Sequence, residues 1–109
     1  MGKAENFIEG YLHKQAKTRG FLCYKFISGN DGVPDRILIG NGYTVFIETK
    51  APSEKPRPLQ KAVIREMRSA GANVFIIDSR QDIDKLLDHI SKHPVKRGLT
   101  RNMPQIGIE

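Results

Sequence analysis

At 109 residues and 12.3 kDa with 39% hydrophobic residues, the chain can bury one core, so a single small domain is expected. A net charge of +6 and a pI near 9.7 point to a polyanionic partner, nucleic acid ahead of an anionic membrane. No apolar run reaches the roughly 18–20 residues that span a bilayer, the N-terminal stretch lacks a signal-peptide core, and a lone Cys23 excludes an internal disulfide, so a soluble intracellular protein is expected.

In chain order, Phe7, Ile8, Tyr11, Leu12 and Ala16 recur at three- and four-residue spacing between Ala4 and Arg19, and Gly20 follows where a helix end favours it. This predicts an amphipathic first helix. Phe21 to Ile27 reads as a strand rich in aromatic and β-branched residues, in which Cys23 is a packed thiol. Ser28 to Pro34 is a glycine-containing loop. Arg36 to Ile39 and Tyr43 to Thr49 read as two strands joined by the hairpin signal Asn41-Gly42, and hence as antiparallel neighbours.

Three prolines between Ala51 and Pro58 exclude a ladder strand and predict an extended connection. A second helix starts near Pro58, carries an apolar stripe of Leu59, Val63, Ile64, Met67 and Ala70 with Lys61, Arg65 and Arg68 outside it, and ends at Gly71. Asn73 to Asp78 is a strand. Ser79 caps a third helix, which runs to about Lys92 with Ile83, Leu86, Leu87 and Ile90 inward, and His93-Pro94 closes it. Residues 1–94 therefore form the domain. The tail, residues 95–109, is basic through Lys96, Arg97 and Arg101 and carries Leu99, Met103, Ile106 and Ile108. A homodimer interface is expected at this tail or on the surface beside the third helix, a disordered end being the alternative. The order helix, three strands, helix, strand, helix predicts an α/β fold with a mixed central sheet flanked by helices.

The chemistry concentrates between Gly32 and Lys50. Residues two apart on a strand share a face, so Glu48 and Lys50 project together while the Thr49 side chain points the other way. The hairpin folds Asp35 back beside Glu48 as a cross-strand neighbour. Two adjacent carboxylates repel and raise a pKa unless a cation lies between them, and hard oxygen ligands suit Mg²⁺ or Mn²⁺. His13, His89, His93 and Cys23 are too scattered for a zinc site. Lys55, Arg57, Lys61, Arg65 and Arg68 cluster in sequence beside the carboxylates; with Lys25, Arg36 and the tail they could form a track for a DNA backbone.

These residues resemble the VRR-NUC nucleases, a branch of the restriction-endonuclease-like superfamily with the PD-(D/E)xK motif. Here the motif reads Pro34-Asp35, twelve residues, then Glu48-Thr49-Lys50, and the likeness extends to Ile8-Glu9-x-x-Leu12, Gly32-Val-Pro-Asp-Arg36, Pro58-Leu59-Gln60 and Val74-Phe-Ile-Ile-Asp78. The resemblance implies a restriction-endonuclease-like core. It implies that Asp35, Glu48 and the Thr49 backbone carbonyl bind the metal, that Lys50 orients or activates the attacking water, and that Gln60 sits beside them. It also places Glu9 near the metal through water. Glu5, about 40° away on the helix, competes for that role, and Glu9 is favoured over it.

The activity implied is a Mg²⁺- or Mn²⁺-dependent endodeoxyribonuclease. Compact members resemble phage-encoded homodimers that cut branched DNA such as four-way (Holliday) junctions. A flap or end-processing nuclease, or a basic nucleic-acid-binding module without catalysis, is the alternative.

Overall fold

The computed structural model describes residues 3–95 and 106–107. Its elements run α1 (Lys3–Thr18), β1 (Leu22–Lys25), β2 (Arg36–Gly40), β3 (Tyr43–Thr49), α2 (Pro58–Ser69), β4 (Asn73–Ile77) and α3 (Arg80–Lys92). This is the order expected. The difference lies at β1, which is shorter than the predicted run. Phe21 turns inward over Gly40, and beyond Lys25 only the Phe26 N–H, donating to the Asp35 carbonyl at 2.7 Å, continues the ladder.

The four strands form one mixed sheet in the order β1-β2-β3-β4, with the first three antiparallel and β3-β4 parallel across the α2 connection. Asn41 and Gly42 both take positive φ, 50° and 88°, which is the backbone a two-residue hairpin needs to match strand twist. Two helices end alike. In α1 the Gly20 and Phe21 N–H groups donate to the Lys17 and Ala16 carbonyls; in α2 those of Gly71 and Ala72 donate to Arg68 and Met67. A glycine with positive φ makes each of these Schellman ends possible.

The sheet divides the core in two. On one face α1 and α3 bury Leu12, Leu38, Val45, Ile47, Leu86 and their neighbours, and Ile106 packs against the same cluster. Tyr11 donates to Asp84 at 2.8 Å, and Arg19 pairs with Asp88 at 2.8 Å, joining the two helices. On the other face α2 covers β4 through Ile64, Val74 and Ile76. That cover leaves the β1-β2 half open, so Leu22, Tyr24 and Ile39 stay 49%, 55% and 37% exposed. They share this face, since Leu22 pairs with Ile39 and Tyr24 with Ile37.

Cys23 faces the principal core and burial pushes its thiol up, consistent with a packed residue. The tail residues Lys96, Arg97, Leu99, Arg101, Met103 and Ile108 lie outside the described residues. No described helix is long and apolar enough to cross a membrane.

Candidate active site

Antiparallel register puts Arg36 opposite Ile47, so the next pair outward is Asp35 and Glu48. The two carboxylates therefore meet at one end of the β2-β3 ladder, as the hairpin spacing predicts. They border a groove of about 380 Å³ whose walls include Lys25, the 28–33 loop, Arg57 and Gln60. Gly32 closes the loop onto α2. Its φ is +91°, and a Cβ there would meet Val63 Cγ2 at 2.9 Å and the Leu59 carbonyl oxygen at 3.1 Å. A side chain at this position would push the groove wall away from the helix.

Glu48 is buried, and its carboxylate is pushed from 4.5 to about 7, first by burial and then by the neighbouring Asp35 charge. Lys50 opposes the shift. Its Nζ lies 3.6 Å from Glu48 Oε2, on the face expected from the alternation. Gln60, in the first turn of α2, donates from Nε2 to the same Oε2 at 3.2 Å, while its Oε1 accepts the Arg57 N–H at 2.9 Å. One side chain thus caps a helix and orients a carboxylate.

Asp35 is raised too, by burial first and by the charge on Glu9 second. Its Oδ1 is buried with no hydrogen-bond partner. A buried, unpartnered carboxylate oxygen, with other carboxylates close enough to raise its neighbours' proton affinity, is the arrangement a cation relieves. The donor set therefore fits a divalent metal held by Asp35, Glu48 and a main-chain carbonyl. Among the described residues no three His, Cys, Asp or Glu side chains are grouped to hold a metal.

The two helical glutamates divide. Glu9 lies on the other sheet face, its Oε1 accepting from Thr49 Oγ1 at 3.3 Å and its Oε2 3.1 Å from Arg36 Nη2. Glu5 is raised by burial and then by Glu54, and it contributes in turn to the shift of Glu48. Both carboxylates therefore act electrostatically on the pair.

The expected cation track is only partly free. Arg68 donates from Nε and Nη2 to the Val74 carbonyl at 3.1 and 2.8 Å, fastening α2 to β4. Arg57 pairs with the exposed Asp31 at 3.2 Å. Lys55, Lys61 and Arg65 are exposed, and the last two border a second hollow of about 290 Å³ beside Arg68. The contacts made by Arg36 and Thr49 are what sequence reasoning missed. Their signal was present, because each directly follows a site carboxylate and alternation turns it to the α1 face.

Two carboxylates and a lysine at the end of a mixed α/β sheet define a restriction-endonuclease-like core. No family profile matches the chain. A protein of Acyrthosiphon pisum secondary endosymbiont phage 1 named "Putative nuclease p44" is 38% identical over 89 residues, covering 80% of this chain and 95% of that protein. A solved structure described as a VRR_NUC domain superposes with a TM-score of 0.72 at 31% identity, over 81% of this chain and 98% of the other. The chain belongs to the VRR-NUC family of nucleases.

Proposed function

We propose that this chain is a Mg²⁺- or Mn²⁺-dependent endodeoxyribonuclease that hydrolyses phosphodiester bonds in branched DNA such as four-way junctions, acting as a homodimer. The observation that carries the catalytic part is the pairing of Asp35 and Glu48 at the groove, with Asp35 Oδ1 buried and unpartnered. Asp35, Glu48 and the Thr49 backbone carbonyl would hold the metal. When bound, a divalent ion makes water more acidic and neutralises phosphoryl oxygens.

The remaining work falls to side chains. Lys50, beside Glu48, orients the attacking water and offsets charge developing on the phosphate. Gln60 fixes the Glu48 carboxylate through its amide. Glu9 is held by Thr49 and Arg36, so in this reading it reaches the metal only through water, while Glu5 adds negative charge beside the pair. Lys55, Arg57, Lys61 and Arg65 grip the DNA backbone, with Arg68 fastening the helix that carries the last two. A domain of this size has little surface for base readout, which favours recognition of DNA shape.

Cleavage of linear, flapped and four-way DNA, with and without Mg²⁺ or Mn²⁺, tests the reading. It expects metal-dependent cutting that favours the four-way substrate. Preference for flaps or ends would make the chain an end-processing nuclease, and binding without cutting under every metal would leave a nucleic-acid-binding module.

A further inference from the structure

We infer that Arg36 is a positioning residue for the carboxylate pair, acting through Glu9 and Thr49 from the opposite face of the sheet. The inference rests on the reading in which Asp35 and Glu48 hold the metal. Arg36 follows Asp35 in β2, and Thr49 follows Glu48 in β3. Strand alternation sends both side chains away from the groove and toward α1. There one carboxylate meets them both, with Glu9 Oε2 3.1 Å from Arg36 Nη2 and Glu9 Oε1 accepting from Thr49 Oγ1 at 3.3 Å. A single side chain from the helix thus ties together the residues next to the two site carboxylates.

The burial of the three residues gives the contact force. Glu9 is 8% exposed and Thr49 1%, so the Glu9 charge needs its partner, and Arg36 is the only cation with an ion pair to it among the described residues. The two contacts on Glu9 fasten β2 and β3 to α1 and restrict the backbone that carries them, while Arg36 Nε is buried without a hydrogen-bond partner. The backbone here includes the Thr49 carbonyl and the junctions with Asp35 and Glu48. Metal sites lose function when their geometry loosens by a fraction of an ångström, so a tie behind the sheet acts on the reaction without touching substrate. A direct role for Arg36 on the DNA backbone fits less well. Its side chain is only 16% exposed, and its Nη2 is directed at Glu9.

The experiment uses the full chain with Arg36→Gln, Arg36→Lys, Glu9→Gln and Thr49→Val. Thr49→Val is nearly isosteric and keeps the main-chain carbonyl, so it probes the tie where Arg36→Gln fails to fold. Steady-state cleavage is measured on the DNA that the wild type cuts best, and Mn²⁺ binding is measured by calorimetry without DNA. Arg36→Gln and Thr49→Val should each lower kcat about 10-fold or more with KM little changed, and weaken Mn²⁺ binding in the folded protein. The double variant should lose less than the product of the two single losses, because both break one network. Arg36→Lys, which keeps the charge on Glu9, should recover most of the kcat.

Raised KM with unchanged kcat and a flatter salt dependence would instead make Arg36 a phosphate contact. Lowered thermal midpoints with unchanged Mn²⁺ affinity and kcat in the folded fraction would make the network merely structural. Either result overturns the positioning role while leaving the metal reading intact. A wild-type chain that neither binds Mn²⁺ nor cuts DNA overturns the metal reading and takes the tie's catalytic meaning with it.

Discussion

Asp35 and Glu48 stand one step beyond the Arg36–Ile47 pair of the β2-β3 ladder, and the Asp35 charge raises the cost of ionising Glu48. Without a cation, the folded chain carries a repulsion that the unfolded chain does not.

A pH dependence of metal-free stability follows. Glu48 binds its proton more tightly in the folded chain, near 7, than at its ordinary 4.5. The stability this contributes is complete below about pH 4.5 and is lost as the pH rises through 7, by about 3 kcal/mol at most. Asp35, raised in the same direction, adds to the loss. Thermal midpoints in chelator should fall between pH 5 and pH 7.5, and Glu48→Gln should flatten the decline. A midpoint that rises across this window would contradict the assignment.

The same pair predicts opposite effects on stability and activity. Asp35→Asn and Glu48→Gln should leave the metal-free fold at neutral pH as stable or more stable, yet lower cleavage by about 10³-fold or more. Lys50→Ala should also abolish cleavage, by removing the cation 3.6 Å from Glu48. Denaturant melts and cleavage rates on the same purified proteins check this, and near-wild-type cutting by any folded variant removes that residue from the mechanism.

How much of this was legible in the sequence depends on whether the deciding interaction is local. The Asn41-Gly42 turn and strand alternation suffice to bring Asp35 to Glu48 and to place Lys50 beside it, because both rules act over neighbouring residues. The ends of α1 and α2 were marked by Gly20 and Gly71 for the same reason. The fates of Glu9 and Arg68 were not legible. Helical periodicity leaves Glu5 and Glu9 on nearly one face, and Glu9 is held by Arg36 and Thr49, which come from other elements. Arg68 reads as a surface cation until β4 offers it the Val74 carbonyl.

Arg68 should therefore separate from its neighbours on α2. Arg68→Ala should cost about 1–2 kcal/mol of stability, because it removes two hydrogen bonds to a β4 carbonyl. Lys61→Ala and Arg65→Ala should leave stability nearly unchanged and flatten the salt dependence of DNA affinity by about one unit of slope for each lost contact. Titrations at several salt concentrations, beside urea melts, distinguish the two groups. Unchanged slopes for both surface variants would show that this face is only solvated.

Gln60 has two jobs that one substitution can divide. Gln60→Glu keeps an oxygen for the Arg57 N–H but replaces the amide donor to Glu48 with a third negative charge; Gln60→Ala removes both contacts. The alanine variant should lose about 1 kcal/mol of stability with the cap. Both variants should cut DNA about 10-fold more slowly than wild type, since both release the Glu48 carboxylate. Wild-type rates in Gln60→Ala would restrict this residue to helix capping.

The homodimer is the last expectation, and the exposed apolar side chains offer a further place to seek its interface. The exposed side of α3 is polar and charged, with Gln81, Lys85 and Lys92 outermost, and Ile106 of the tail packs on the chain's own core. Of the exposed large apolar side chains among the described residues, Leu22, Tyr24 and Ile39 lie together on the face that α2 does not cover, at and beside the edge strand β1, whereas Phe7, Ile27 and Leu59 lie outside these strands. A second copy placed there by two-fold symmetry would bury both strips against each other. Light scattering of the full chain should therefore give a dimer at micromolar concentration, and Leu22→Glu with Tyr24→Lys should yield a folded monomer. A chain ending at Pro94 provides the control. Loss of the dimer there alone would return the interface to the tail, and a monomeric wild type would make junction cutting the weaker assignment, because two sites would no longer be presented together to two strands.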